Sequence, residues 1–391
     1  MVKYSFGDIL IIITLMYWIT YSIVVVIYLN YLTNKYLVPK SRDSIIKDKK
    51  LKTQQEIVEK YKNKNQINLL VLTGGGVRGL VSLRVLAKLE EITGLKAGEL
   101  FDFVSGTSTG AISVSSLIVG DGKGGYKYSA TDIANNYYAH SKSMFSAPWY
   151  HQYLTSFGLL APRFLPDNKL KILDSYFGDL TIGELAGNML VPVYNIDQNN
   201  LQLVKNWVTP YGQQNENYLI KDLINGASNP PMIFTPICFS IKQKNHLLID
   251  PAVILNNPIL QVLLYVRGLL PDKHINLVFI GNGGIANEPY DYRSMFGFGL
   301  YGLYQYLFSA PNLSSRLYID FMEDYLRDAK LFDKNISYFA ITGMPKSPMS
   351  PTSLSKRNFK KIENYAHEVI EKNQSKLQEL ANILTCERKK Q

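Results

Sequence analysis

Cysteine is nearly absent: Cys238 and Cys386 are the only two in 391 residues. So distant a pair forms no disulfide framework and no Cys/His spacing for zinc, and such scarcity leans toward a reducing compartment. Histidine is also scarce, at five positions. His140, His151, His246, His274 and His367 share no motif with a serine, so each is expected to be an ordinary turn or surface residue. No internal repeat is visible, which excludes a solenoid. No zinc-finger or RNP-type signature accompanies the net charge of +10, so nucleic acid is not an expected partner.

Charge is missing altogether from Ile9 to Leu29. The run is long enough to cross a hydrocarbon layer of ~30 Å as a helix rising ~1.5 Å per residue. Bulky residues at Leu29–Leu32 do not resemble a signal-peptide cleavage site, so a retained single-pass anchor is expected. Tyr28 and Tyr31 suit an interfacial belt, whereas Tyr17, Trp18 and Tyr21 fall mid-span and do not. Lys3 precedes the run, and Lys35, Lys40 and Arg42 follow it, which puts the following domain on the cytoplasmic side.

The expected organisation is a membrane anchor at 1–34, a basic juxtamembrane linker at 35–66 and one folded domain at 67–391. Ile67–Leu72 reads as a buried strand and Leu80–Thr93 as an amphipathic helix. Phe101–Ser105 then reads as a strand and Ala111–Val119 as a helix. Further strands are expected at Leu190–Asn195, Leu201–Lys205, His246–Ile249 and Ile275–Ile280. Further helices are expected at Thr131–His140, Asn168–Tyr176, Ile220–Gly226, Leu317–Lys330 and Asn358–Leu384. Such alternation predicts an α/β layer fold on a mostly parallel sheet.

Three segments carry chemistry. Gly74, Gly75, Gly76, Val77, Arg78 and Gly79 lie between a strand and a helix, where exposed N–H groups can hold a phosphate or a developing oxyanion. Gly74, Gly76 and Gly79 also fit a dinucleotide G-x-G-x-x-G, but no strand ending in an acidic residue follows at the required distance. Gly106, Thr107, Ser108, Thr109 and Gly110 form a G-x-S-x-G turn between strand and helix, which suits a nucleophile elbow. Asp250 ends an apolar strand ahead of Pro251 and Ala252, where an aspartate can cap a turn or act as a base.

In this order the segments resemble the patatin-like phospholipases, from about Leu69 to Gly284, with a C-terminal helical part at 315–391. The resemblance implies a patatin-like three-layer α/β fold and a Ser-Asp dyad. Ser108 would be the nucleophile, Asp250 the base, and Gly74 to Gly79 the oxyanion loop. The Leu277–Gly283 segment is similar to the family's late strand and glycine turn, and Ala227–Pro231 to its segment before the Asp strand. The implied activity is hydrolysis of lipid acyl esters, of phospholipase A or lysophospholipase type. The substrate partner is a phospholipid or other lipid ester in a membrane, and neither metal nor cofactor is implied. Arg78 is expected to orient the loop, hold a lipid phosphate, or make a surface or helix-start ion pair. Thr73 and Pro251 depart from the family pattern. Pro251 stands where the family has glycine, and it has no N–H. That keeps two alternatives open: a catalytically impaired lipid-binding membrane protein, and an acylglycerol lipase or acyltransferase.

Overall fold

Strands β1 (Lys40–Ser41), β2 (Lys52–Thr53), β3 (Gln66–Leu72), β4 (Phe103–Gly106) and β5 (Asn188–Asn195) come first along the chain. Then follow β6 (Asn200–Lys205), β7 (Trp207–Val208), β8 (Ile237–Ile241), β9 (Lys244–Ile249), β10 (His274–Ile280) and β11 (Ile336–Ile341). The computed structural model describes residues 6–47, 49–210, 216–283 and 335–386. The helix expected at Leu317–Lys330 lies outside them.

The main sheet runs β1-β8-β9-β5-β4-β3-β10-β11, with β6 also on β5, and β2 and β7 form a separate pair. Strands β5, β4, β3, β10 and β11 are mutually parallel. Strands β6 and β9 pair antiparallel to β5, and β8 antiparallel to β9. The sheet is thus mixed, with a parallel centre. Strand β3 explains why its sequence is a continuous apolar run rather than an alternation. Leu70 and Leu72 enter one core, with the helices Leu80–Thr93, Ala130–Met144 and Lys356–Lys372, while Leu69 and Val71 enter the other, with Ile259–Leu269. A strand covered on both faces has no polar side to show. The result is a patatin-type fold of helix, sheet and helix layers.

Residues 35–66 differ from the expected linker. Lys40 and Ser41 pair with Phe239 and Ser240. Arg42 forks onto the buried Asp222, at 2.5 Å from Nε and 3.2 Å from Nη2. Thr53 and Glu56 form a capping box that starts the helix Gln54–Lys60, whose Ile57, with Tyr61 just beyond, enters the second core. The helical content expected around Gln54 to Tyr61 is present; what the Lys-rich composition hid is that these two apolar residues, one helical turn apart, pack on the domain. The long C-terminal helix expected at Asn358–Leu384 is two, Lys356–Lys372 and Gln374–Thr385, broken at Asn373. Strands β8 and β11 had no counterpart in the sequence reading.

The apolar run forms one helix, Phe6–Tyr36, of length and composition able to cross a membrane. Most of its apolar side chains are exposed. Its end is fastened to the domain at Asp167, which accepts from Tyr36 Oη and pairs with Lys35 Nζ at 3.5 Å.

Candidate active site

Strands β3 and β4 are adjacent and parallel, with Leu72 level with Gly106, so the turns that follow them emerge together. After β4 the chain reverses at once into the helix Thr109–Leu117. Ser108 sits at the reversal with φ 57° and ψ −123°. A non-glycine residue held there costs about 1–3 kcal/mol and persists only where its surroundings enforce it. The turn is tight enough that a Cβ on Gly106 would meet the Gly110 carbonyl carbon at 2.4 Å.

After β3 the loop 73–79 passes beside that turn. A Cβ on Gly74 would lie 2.8 Å from Ser108 Cβ, so glycine is what lets the loop backbone approach the serine. Hydrogen bonding sorts the six loop residues. Val77 N–H donates to Pro351 O at 2.9 Å, and Arg78 N–H to Gly75 O at 3.1 Å. Among the described residues, the amides of Gly74, Gly75 and Gly76 make no such backbone bond. Val77 and Gly79 do not line the cleft; Gly74, Gly75, Gly76 and Arg78 do. Arg78 is buried rather than on the surface. It donates to Gly75 O at 3.2 Å and Gly283 O at 2.9 Å, and burial pulls its guanidinium down to about 10. Tyr137 Oη holds Gly76 O at 2.9 Å, and Asn282 Nδ2 holds Thr73 O at 2.6 Å.

The facing wall carries Asp250, just beyond β9 and 2% exposed. Burial is the leading influence and pushes its carboxyl up to about 6, opposed by Ser108, the Ala252 N–H and the charge of Lys169. Oδ1 accepts from Ala252 N at 2.8 Å. Oδ2 is buried and has no partner of ordinary hydrogen-bond geometry, although Ser108 lies near enough to lower the carboxyl. Pro251 takes the first position of the short helix Pro251–Val253, where a backbone N–H is not used. The amide that serves Asp250 belongs to Ala252, so the missing amide of Pro251 costs this contact nothing. Thr107 Oγ1 donates to Leu255 O at 3.3 Å and ties the elbow to this wall.

Lys169 lies beneath Asp250, 1% exposed. Its Nζ donates to Ser228 O and Asn229 Oδ1, both at 2.6 Å, and to Asn225 O at 3.4 Å. Asn229 O in turn accepts Asp250 N–H at 3.1 Å. Burial pulls the ammonium down to about 7, with Asp250 opposing. Sequence reasoning missed Lys169, because a lysine in an otherwise ordinary amphipathic helix, Asp167–Phe177, carries no mark of burial.

The cleft between the walls holds about 90 Å³ and is lined on its apolar side by Phe145, Ile233, Phe234 and Val253. None of the five histidines lines it. A larger lysine-lined cleft of about 1590 Å³ contains none of these residues, and its size reflects an open surface rather than converging chemistry. A strained serine, a carboxylate oxygen with no ordinary partner and a glycine loop lining the same slot suit acyl transfer.

A family profile described as Patatin-like phospholipase matches residues 70–263, which contain both Ser108 and Asp250. The chain belongs to the patatin-like phospholipase family. It is 29% identical over 219 residues to Patatin-like protein 1 of Arabidopsis thaliana, an alignment covering 50% of each chain. It is 27% identical over 245 residues to a cGAMP-activated phospholipase of Vibrio cholerae, covering 58% of this chain and 66% of the relative. The chain thus spans between half and two thirds of these relatives. Human GIVD cytosolic phospholipase A2 overlays 85% of this chain and 63% of its own at 10% identity, with a TM-score of 0.41, too distant a likeness to bear on function. Within this patatin-like domain Cys238 is buried and Cys386 exposed, both as free thiols.

Proposed function

We propose that the protein is a membrane-anchored lipid acyl-ester hydrolase acting through Ser108 and Asp250. The observation that carries this reading is the strained Ser108 next to a buried Asp250 oxygen that nothing else occupies. Ser108 Oγ attacks the acyl carbonyl carbon, and its proton passes to Asp250 Oδ2. The carbonyl oxygen becomes an oxyanion facing the amides of Gly75 and Gly76, a stabilisation of ~3 kcal/mol per donor. The C–O bond to the leaving alcohol breaks as Asp250 returns the proton to it. Water, deprotonated by Asp250, then attacks the acyl-enzyme, and the bond from Ser108 Oγ to the acyl carbon breaks as Asp250 returns that proton to Oγ, which frees the fatty acid. A carboxylate raised to about 6 is a far better base than one at the ordinary value, and this is what burial of Asp250 supplies.

The substrate class is supported by the slot, where Phe145, Pro230, Ile233, Phe234 and Val253 give an apolar face beside the base and loop. Residues 1–34 are the anchor in this reading. The positive residues after the span keep the domain 67–391 on the cytoplasmic side, and residues 35–66 join the two while packing on the domain. Hydrolysis of a panel of phospholipids, lysophospholipids and acylglycerols by the purified protein, with Ser108→Ala as control, tests the activity. Release of fatty acid by the native protein alone supports it. Binding without release would point to the impaired lipid-binding alternative, and transfer of the acyl group to an added alcohol would point to an acyltransferase.

A further inference from the structure

No Asp, Glu, Lys or Arg occurs between Lys142 and Arg163. This stretch holds the short helix Trp149–Leu154 and the turn Ser156–Gly158. Trp149 is 80% exposed and Phe157 71%, and Leu159 and Leu160 beside them are also exposed. So dense an apolar surface is unusual on a water-facing loop.

The stretch lies along the helix Phe6–Tyr36. Tyr17 Oη bonds Tyr153 Oη, and Tyr21 Oη donates to Tyr153 O at 3.2 Å. Tyr28 Oη pairs with His151 Nδ1 at 2.9 Å, and Tyr28 packs edge-on against Tyr150. These contacts explain tyrosines in the middle of an otherwise apolar run. A hydroxyl within hydrocarbon must find a partner in the protein, and three of them find it in this stretch. From position 17 to position 28 the helix rises about 16 Å. That is close to the half-thickness of a hydrocarbon layer of ~30 Å. Several polar groups of the stretch are satisfied internally as well, although Gln152 Oε1 has no partner among the described residues. His151 Nε2 pairs with Pro162 O at 3.0 Å, Thr155 Oγ1 donates to His151 O at 2.8 Å, and Gln152 Nε2 to Arg163 O at 2.9 Å.

We propose that residues 143–162 are a second membrane element, sunk into the leaflet next to the span on the side of Lys35, with Trp149, Phe157, Leu159 and Leu160 against lipid chains. The inference rests on reading Phe6–Tyr36 as a membrane span. Its consequence is the orientation of the cleft. Arg163 N–H and Phe164 N–H donate to Met232 O and Ile233 O, both at 2.9 Å. Phe145, at the other end of the stretch, packs on Phe164 and Phe234. Phe145, Ile233 and Phe234 form the apolar wall of the Ser108 cleft. The inserted stretch therefore ties that wall to the acyl layer on both sides.

The test uses the full chain with Cys386→Ser, leaving only the buried Cys238, reconstituted in phosphatidylcholine–phosphatidylglycerol vesicles. An environment-sensitive dye is attached singly at Phe157→Cys, Leu160→Cys, Ile13→Cys and Lys123→Cys. The expected result is blue-shifted emission at 157, 160 and 13, quenched by lipids carrying nitroxide on the acyl chain, with 123 remaining in water. Two positions in the stretch guard against one label that perturbs folding. Quenching at 13 with water-like emission at 157 and 160 would overturn the inserted stretch while the span stands. Water-like emission at 13 as well would overturn the span and the inserted stretch together.

Discussion

Gly74, Gly75, Gly76, Arg78, Ser108 and Thr109 make one wall of the cleft from two neighbouring turns, whereas Asp250 on the opposite wall is backed by Lys169 and Asn229 from two other stretches. The first wall works by backbone shape: glycines allow close approach, and a strained φ lifts the serine. The second works by buried charge, with a carboxylate raised and an ammonium lowered by the same burial. Shape can be specified locally, because each turn needs only its own residues. Buried charge cannot, because each ion needs partners that only the fold can bring. The nucleophile wall should therefore fail sharply and locally, and the base wall through stability and pH dependence.

The largest expected effect is on the first wall. Ser108→Ala should lower lipid-ester hydrolysis by about 10⁴-fold or more and abolish fluorophosphonate labelling. Circular dichroism should be unchanged, and retained labelling would move the nucleophile elsewhere.

Lys169→Met probes the second wall. It leaves Ser228 O and Asn229 Oδ1 without their donor, at roughly 1–3 kcal/mol for each buried group left unmade. It also removes the positive charge that lowers the Asp250 carboxyl. The thermal midpoint should fall, and the acid limb of the rate profile should move to higher pH. A variant that only loses stability, with its acid limb unmoved, would make Lys169 purely structural.

Ser108→Gly should separate shape from chemistry. Glycine tolerates φ 57°, so the inactive variant should be as stable as the native protein or more so, by about 1 kcal/mol in denaturant titration. A marked loss of stability would mean that the serine hydroxyl, not the strain, dominates the turn.

The smallest effect is expected at Pro251→Gly. The amide used by Asp250 belongs to Ala252, so the rate should stay within about twofold of the native value. A rise of an order of magnitude would show that the proline restrains the base.

The same contrast governs what could be read from sequence. The helix Leu80–Thr93 matched its apolar stripe end to end, and Gly106–Gly110 sits on its turn between strand and helix. Asp250 was found only through its place in a family pattern, since an aspartate ending a strand is otherwise a turn residue. Lys169 was invisible, and Asn229 and Asn282 stood only inside family-like segments with no role read for them, as burial and partners are properties of the assembled core. Strand β1 was hidden because two residues, Lys40 and Ser41, hold too little pattern to register as a strand. The mid-span Tyr17 and Tyr21 stood out as misplaced in the sequence, and their partners appear only when residues 149–154 come alongside.

The account centres on Asp250 as the sole general base for Ser108, and the rate of lipid-ester hydrolysis against pH tests it most directly. The base must be ionised to take the serine proton, so the native rate should rise through a single limb near pH 6 and stay level above it. Asp250→Asn should remove almost all turnover across that range, as Ser108→Ala does, and the double variant should be no worse than either. His→Gln changes at positions 140, 151, 246, 274 and 367 should each leave the limb in place. An Asp250→Asn variant that keeps its rate, while one histidine variant loses both rate and limb, would contradict the account and assign the site to a serine–histidine hydrolase.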